Sequence, residues 1–391
     1  MNYLMILAGI LWSALAAAAI APPVAAPTDL TAKAYLLYDY NSGQALLSKN
    51  ADARIDPAAL SKLMTTYLVF DALKHGVLNL SQELTVPGQA EHGLSSGESR
   101  MLLRTGDSVS VADLLYGLIV SSGSDAAITL AVKIAGTEEL FTKKMNQQAT
   151  LLGMTHTHFT HPAALPDPQH YSTAKDLVLL AAALIHDFPQ YYPMFKEKEF
   201  TYNKVKQANR NRLLWLDEFA DGLKTGQNAT AGFCLIGSSK RDQRRLISVV
   251  LGTESDVVRT NESQKLLNYG FQQFDLARLY RKDKAVANVR VWKGIDSEVE
   301  VGFRKDMYLT FPKGQQAQLT AKVETYYPVL APISAGQQLG TLKFFLAGKP
   351  YAAFPLTALT GTQPANVFAR GWDALRLLVE EWMQPNQEQK P

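Results

Sequence analysis

Alternating and helical spacings of apolar residues divide the chain into stretches of different character. Residues 34–40 read Ala-Tyr-Leu-Leu-Tyr-Asp-Tyr, a strand, and Asn41-Ser42-Gly43 supplies a hairpin turn into residues 44–47. Asp56-Pro57 marks a helix start, and residues 58–73 hold apolar side chains at helical spacing. The same spacing recurs over residues 111–121, 125–135, 138–152 and 172–185, the last capped by Ser172 or Thr173. Apolar runs at 232–238 and 245–252 read as strands joined by the polar turn 239–243, and 255–271 returns to helix. Strands at both ends of a helical block predict one mixed α/β domain, an antiparallel sheet covered by helices.

From about Asp275 the pattern changes. Short strand-like runs at 289–292, 307–311 and 341–345 alternate with turns at Lys293-Gly294, Lys313-Gly314 and Gly348-Lys349-Pro350, and no helical spacing interrupts them. This predicts an all-β module, a sandwich, over 276–362. In the last stretch, 363–391, residues 367–383 regain helical spacing, with Phe368, Trp372, Leu375, Leu378, Val379 and Trp382 near one face. Two tryptophans on such a face suit a membrane interface, and the competing reading is a helix docked on its own β domain. The polar end, 384–391, reads as disordered.

Charge and composition narrow the function classes. A net charge of +3 predicts no nucleic-acid partner, and the basic run Lys240 to Arg245 reads as a solvated turn. Cys234 stands alone, which excludes an intramolecular disulfide and a cysteine metal site. His156, His158 and His161 have tempting spacings for zinc, but no carboxylate follows them until Asp167, so a structural or solvent loop is expected there and not a metal site. Residues 1–26 are uncharged, apolar and rich in alanine, and read as a signal peptide, with an uncleaved membrane anchor as the alternative. The first domain then spans 28–275.

Three short segments carry candidate chemistry. The helix start Asp56-Pro57-Ala58-Ala59-Leu60-Ser61-Lys62 places residues 59 and 62 on one face. Ser122-Gly123-Ser124-Asp125 lies between two helices, and Asp221-Gly222-Leu223-Lys224-Thr225-Gly226-Gln227 precedes the strand at 232–238. In this order they resemble the three boxes of the penicillin-binding proteins and serine β-lactamases, in the form of the low-molecular-mass D-alanyl-D-alanine carboxypeptidases. Residues 207–214 and Ala331-Pro332-Ile333-Ser334 also match, so the likeness runs from about Ala34 to Leu359.

The resemblance implies a penicillin-binding-protein or β-lactamase-like fold, a stem pentapeptide of peptidoglycan as substrate, and no cofactor. It implies that Lys62 and Ser122 are catalytic and that Lys224, Thr225, Gly226, Gln227 and Arg259 bind substrate, with oxyanion donors at the backbone of Ala59 and Gln227. Two positions depart from it. The nucleophile serine is Ala59 and the asparagine of the second box is Ser124. Ser61 lies about a hundred degrees around a helix from Lys62 and is a poor substitute. In subtilisin, loss of the nucleophile lowers turnover by roughly a millionfold.

The expectation is therefore a catalytically impaired family member, a pseudoenzyme, that binds stem peptides or β-lactams non-covalently. It would lie in the periplasm, peripheral on the inner membrane through the tail helix. The alternatives are an active D,D-carboxypeptidase with a non-standard nucleophile and a structural envelope scaffold.

Overall fold

The computed structural model describes residues 26–94 and 97–383. The expected signal peptide, apart from Ala26, and the expected disordered end both lie outside the described residues.

The chain divides into two compact units at Gln273/Phe274. The first is built on a five-stranded antiparallel sheet. In chain order its strands are β1 (Ala34–Asp39), β2 (Gln44–Lys49), β3 (Ala220–Asn228), β4 (Gly232–Arg241) and β5 (Arg244–Thr253), and in space they run β2-β1-β5-β4-β3. Between β2 and β3 lie α1 (Lys62–Lys74), α2 (Val111–Ile119), α3 (Ser124–Ala135), α4 (Glu138–Leu151) and α5 (Ala174–Asp187). Helix α6 (Asp256–Gln273) closes the unit. α1 is buried on nearly all sides, as an apolar helix inside a core must be. Hydroxyl caps start three of its neighbours: Ser110 accepts from Asp113 N–H, Thr137 from Leu140, and Thr173 from Asp176.

Two local expectations change. Residues 58–61 are a 3₁₀ turn ahead of α1 and not its first α turn. The cause is local: Asp56 Oδ1 accepts the Ala58 N–H at 2.8 Å, and Ala58 adopts a φ of +46°. The basic run is not a solvated turn either. Only Asp242-Gln243 separates β4 from β5, Arg244 pairs with buried Asp39 at 2.8 Å, and Arg245 is buried against Asp221 at 2.6 Å.

The second unit is β-rich. Strands Phe274–Tyr280 and Met307–Pro312 pair with each other. A five-stranded antiparallel sheet runs Ala285–Arg290, Glu298–Gly302, Lys349–Ala358, Gln338–Leu346, Leu319–Thr325. Val299, Val301, Leu309, Phe311 and Leu356 fill its core. Helix α7 (Val367–Met383) is tied to this unit: Asp373 accepts the Lys293 N–H at 2.7 Å, Arg290 pairs with Glu380 at 3.0 Å, and Leu377 is buried. Its other face leaves Phe368, Trp372, Leu375, Val379 and Trp382 exposed.

Candidate functional site

The first unit holds a cleft of about 620 Å³ where the 3₁₀ turn, the Ser122 loop and β3 meet. Ala59, Lys62, Ser122, Thr225, Gly226, Gln227 and Arg259 all line it. The turn that presents Ala59 is fixed from both sides. Asp56 Oδ2 accepts from Asn228 Nδ2 at 2.8 Å, at the end of β3. A Cβ on Gly226 would stand 2.9 Å from the Pro57 carbonyl oxygen and 3.1 Å from the Leu60 nitrogen. The missing side chain therefore makes room for this turn.

The polar side chains of the three boxes interlock. Lys62 Nζ donates to the Ser122 carbonyl at 2.7 Å and to Ser124 Oγ at 2.9 Å. Lys224 Nζ donates to Ser122 Oγ at 2.8 Å and to the Thr225 carbonyl at 3.1 Å. Ser122 reaches both lysines because its φ is +60°, a conformation L-residues adopt at a cost of about 1–3 kcal/mol. Burial pulls the Lys62 ammonium down to about 8, against the carboxylates of Glu98 and Asp125, which hold it up. Burial pulls Lys224 well below the ordinary lysine range, and the cations of Lys62, Arg210 and Arg259 add to the shift.

Arg259 is more committed than the sequence implied. Its Nη1 donates to the carbonyls of Gly226 at 3.0 Å and Cys234 at 3.3 Å, and its Nη2 binds Asp256. Only its buried Nε is without a partner among the described residues. It holds β3 and β4 in place at the cleft as much as it addresses the cleft.

Ser61 is absent from the cleft. It is fully buried, donates to the Ala58 carbonyl at 3.0 Å, and lies 3.0 Å from His170 Nε2. A serine beside a histidine invites a nucleophile–base reading, but the proton count opposes it. The Thr160 N–H reaches His170 Nδ1 at 3.2 Å, so the network assigns the imidazole proton to Nε2, which donates to Ser61. A histidine that donates to a hydroxyl does not deprotonate it. His158 and His161 are likewise engaged, with the Gln169 carbonyl at 2.9 Å and Glu138 at 2.6 Å.

Two residues that sequence reasoning did not single out line the same cleft. Arg210 follows Asn209 in the stretch already matched, and its position beside a conspicuous Asn-Arg-Asn was the available signal. Glu98 lies in the loop before α2, and its Oε2 accepts from Ser124 Oγ at 3.2 Å. Nothing in its local sequence announces that contact.

Residues 20–255 match the family model described as D-alanyl-D-alanine carboxypeptidase, and residues 274–362 match the C-terminal domain of penicillin-binding protein 5. The chain belongs to the D-alanyl-D-alanine carboxypeptidase family. It is 43% identical to the D-alanyl-D-alanine carboxypeptidase DacC of Escherichia coli over 364 residues, covering 92% of this chain and 91% of that protein. The crystal structure of penicillin binding protein 5 from Haemophilus influenzae superposes with a TM-score of 0.82 at 38% identity, over 87% of this chain and all (100%) of that one. Penicillin-binding protein D2 from Listeria monocytogenes, solved in an ampicillin-bound form, is 32% identical with a TM-score of 0.57, over 63% of this chain and 100% of that one. The mixed sheet-and-helix domain and the C-terminal β domain are thus those of low-molecular-mass penicillin-binding proteins, and a terminal helix follows them in this chain.

Proposed function

We propose that this family member binds the D-alanyl-D-alanine end of peptidoglycan stem peptides without forming an acyl-enzyme. The observation that carries the reading is the methyl group of Ala59, on the cleft wall beside Lys62, Ser122 and Thr225. A carboxypeptidase of this kind attacks the peptide carbonyl with a serine oxygen, and a methyl group has no lone pair to offer. The rest of the ligand apparatus is in place: Lys62 and Thr225 line the cleft as donors to a carboxylate, Lys224 donates to Ser122 Oγ on the cleft wall, and Arg210, Gln227 and Arg259 line the same space. A β-lactam would occupy the cleft in the same non-covalent way. That retained set argues against a purely structural envelope role.

The working place of such a protein is the periplasm. The exposed Phe368, Trp372, Leu375, Val379 and Trp382 of α7 support a peripheral seat on the inner membrane.

The test is fluorescent-penicillin labelling of the native chain beside an Ala59→Ser variant, with calorimetric binding of a D-Ala-D-Ala peptide. The native chain is expected to bind peptide and take no covalent label, and Lys224→Met is expected to lose binding. Absence of any peptide binding would sink the proposal. A second reading has one observation in its favour, the 2.8 Å contact between Ser122 Oγ and Lys224 Nζ, a serine beside a lysine that burial pulls below the ordinary lysine range. It requires covalent label on Ser122 of the native chain, which mass spectrometry locates directly.

A further inference from the structure

Glu98 joins the boxes through a single hydroxyl. Ser124 Oγ donates to Glu98 Oε2 at 3.2 Å and accepts from Lys62 Nζ at 2.9 Å. The contact is held by the backbone: the Ser124 N–H donates to the Ser99 carbonyl at 2.7 Å, and Asp125 accepts the N–H groups of Met101 at 3.0 Å and Leu103 at 3.1 Å. The segment carrying Glu98 is therefore stitched to the start of α3. A serine hydroxyl has one proton. When that proton goes to a carboxylate, Ser124 can only accept from Lys62. The other Lys62 bond goes to the Ser122 carbonyl, also an acceptor.

We propose that Glu98 is a positioning residue that, through Ser124, holds Lys62 as a hydrogen-bond donor and a cation. On the non-covalent reading above, which this deepens, the cleft then meets its ligand with a fixed positive centre where its relatives need a base. Loss of the nucleophile is one lesion, and this wiring is a second. Four charged groups surround Lys62 from the packed elements. Glu98 and Asp125 favour the ammonium and Arg210 opposes it, while Lys224 on β3 is itself held down by the Lys62 charge. Of the two carboxylates, Asp125 is buried among backbone N–H groups, so Glu98 is the one that can be changed without dismantling the fold.

The experiment uses the full chain carrying Ala59→Ser, which supplies a hydroxyl, and follows the rate of fluorescent-penicillin labelling between about pH 6 and 9.5. Glu98→Gln is added in one variant and Glu98→Asp in another, each checked for folding by thermal melting. Removing the charge is expected to lower the midpoint of the pH profile by about one unit, from about 8, and to raise the rate at pH 7 about fivefold, while Asp keeps the original midpoint. If Glu98→Gln unfolds the protein, Ser124→Asn in the same background reads the same barrier and is expected to speed labelling at neutral pH. An unchanged or raised midpoint with Glu98→Gln overturns the proposal, as does failure of every variant to label. Covalent label on the native Ala59 chain would overturn the non-covalent reading instead, and leaves the comparison of midpoints intact.

Discussion

The Ser61–His170 contact predicts a specific acid sensitivity. His170 is 3% exposed, and burial, the largest influence, pulls its imidazole down from 6.5 to about 4 despite the carboxylates of Asp56 and Asp167. Above pH 6.5 the ring is neutral in folded and unfolded chains alike, and its contribution is fully present. As pH falls, the unfolded chain takes up the proton first, so stability is lost from about 6.5 down through about 4. The full span of about 2.5 units corresponds to about 3 kcal/mol, and integration to pH 5 gives about 2 kcal/mol. For a domain of this size that is roughly 4–8 °C in melting temperature. His170→Gln keeps an N–H for Ser61 and removes the titration. The variant should be less stable than the native chain at pH 7.5, and the gap should narrow by about 2 kcal/mol at pH 5. The assay is urea unfolding of both proteins at the two pH values, read on the transition of the first domain. Other carboxylates titrate equally in both chains and cancel in the difference. A gap that stays constant would mean that His170 is charged or solvated in the fold. The tautomer argument that excludes Ser61 as a hidden nucleophile would fail with it.

Other perturbations read other parts of the structure. Gly226→Ala would place a methyl group 2.9 Å from the Pro57 carbonyl oxygen, so a loss of about 1–3 kcal/mol in urea unfolding and of peptide binding is expected. Asp125→Ala strips acceptors from the N–H groups of Met101, Leu103 and Ala126, and should cost about 3–5 kcal/mol in the same measurement. Replacing Phe368, Trp372 and Trp382 together by alanine should abolish co-sedimentation with vesicles containing anionic lipid while leaving the unfolding midpoint of the first domain unchanged.

Much of the fold was legible because it is written locally. The helical spacing of α1, the hydroxyl cap at Thr173 and the hairpin at Asn41-Ser42-Gly43 are properties of neighbouring residues. The three boxes were legible for the same reason, each being a short run with its own spacing. What stayed hidden depends on partners distant in sequence. His170 meets Ser61 across 109 positions, and Arg244 meets Asp39 across 205. Glu98 sits in a loop with no periodicity, and its significance comes only from the contact with Ser124. The packing of Gly226 against the Pro57 turn stayed hidden too, because sequence shows that a side chain is missing but not what occupies the space.

A purely architectural protein would have little use for what this cleft maintains. Ala58 at φ +46° and Ser122 at φ +60° are strained, and each such residue costs about 1–3 kcal/mol. Lys62 and Lys224 are buried around Ser122, one on its carbonyl and one on its hydroxyl, an arrangement that works against both burial and like-charge repulsion. Asp56 spends both carboxylate oxygens on the turn that carries Ala59, one on Ala58 and one on Asn228. Replacing the lysines by apolar side chains would relieve most of this if the domain needed only to be stable. Cations and strained backbone gathered around an open cavity, with a methyl group on its wall at Ala59, are the features on which the proposed non-covalent binding rests.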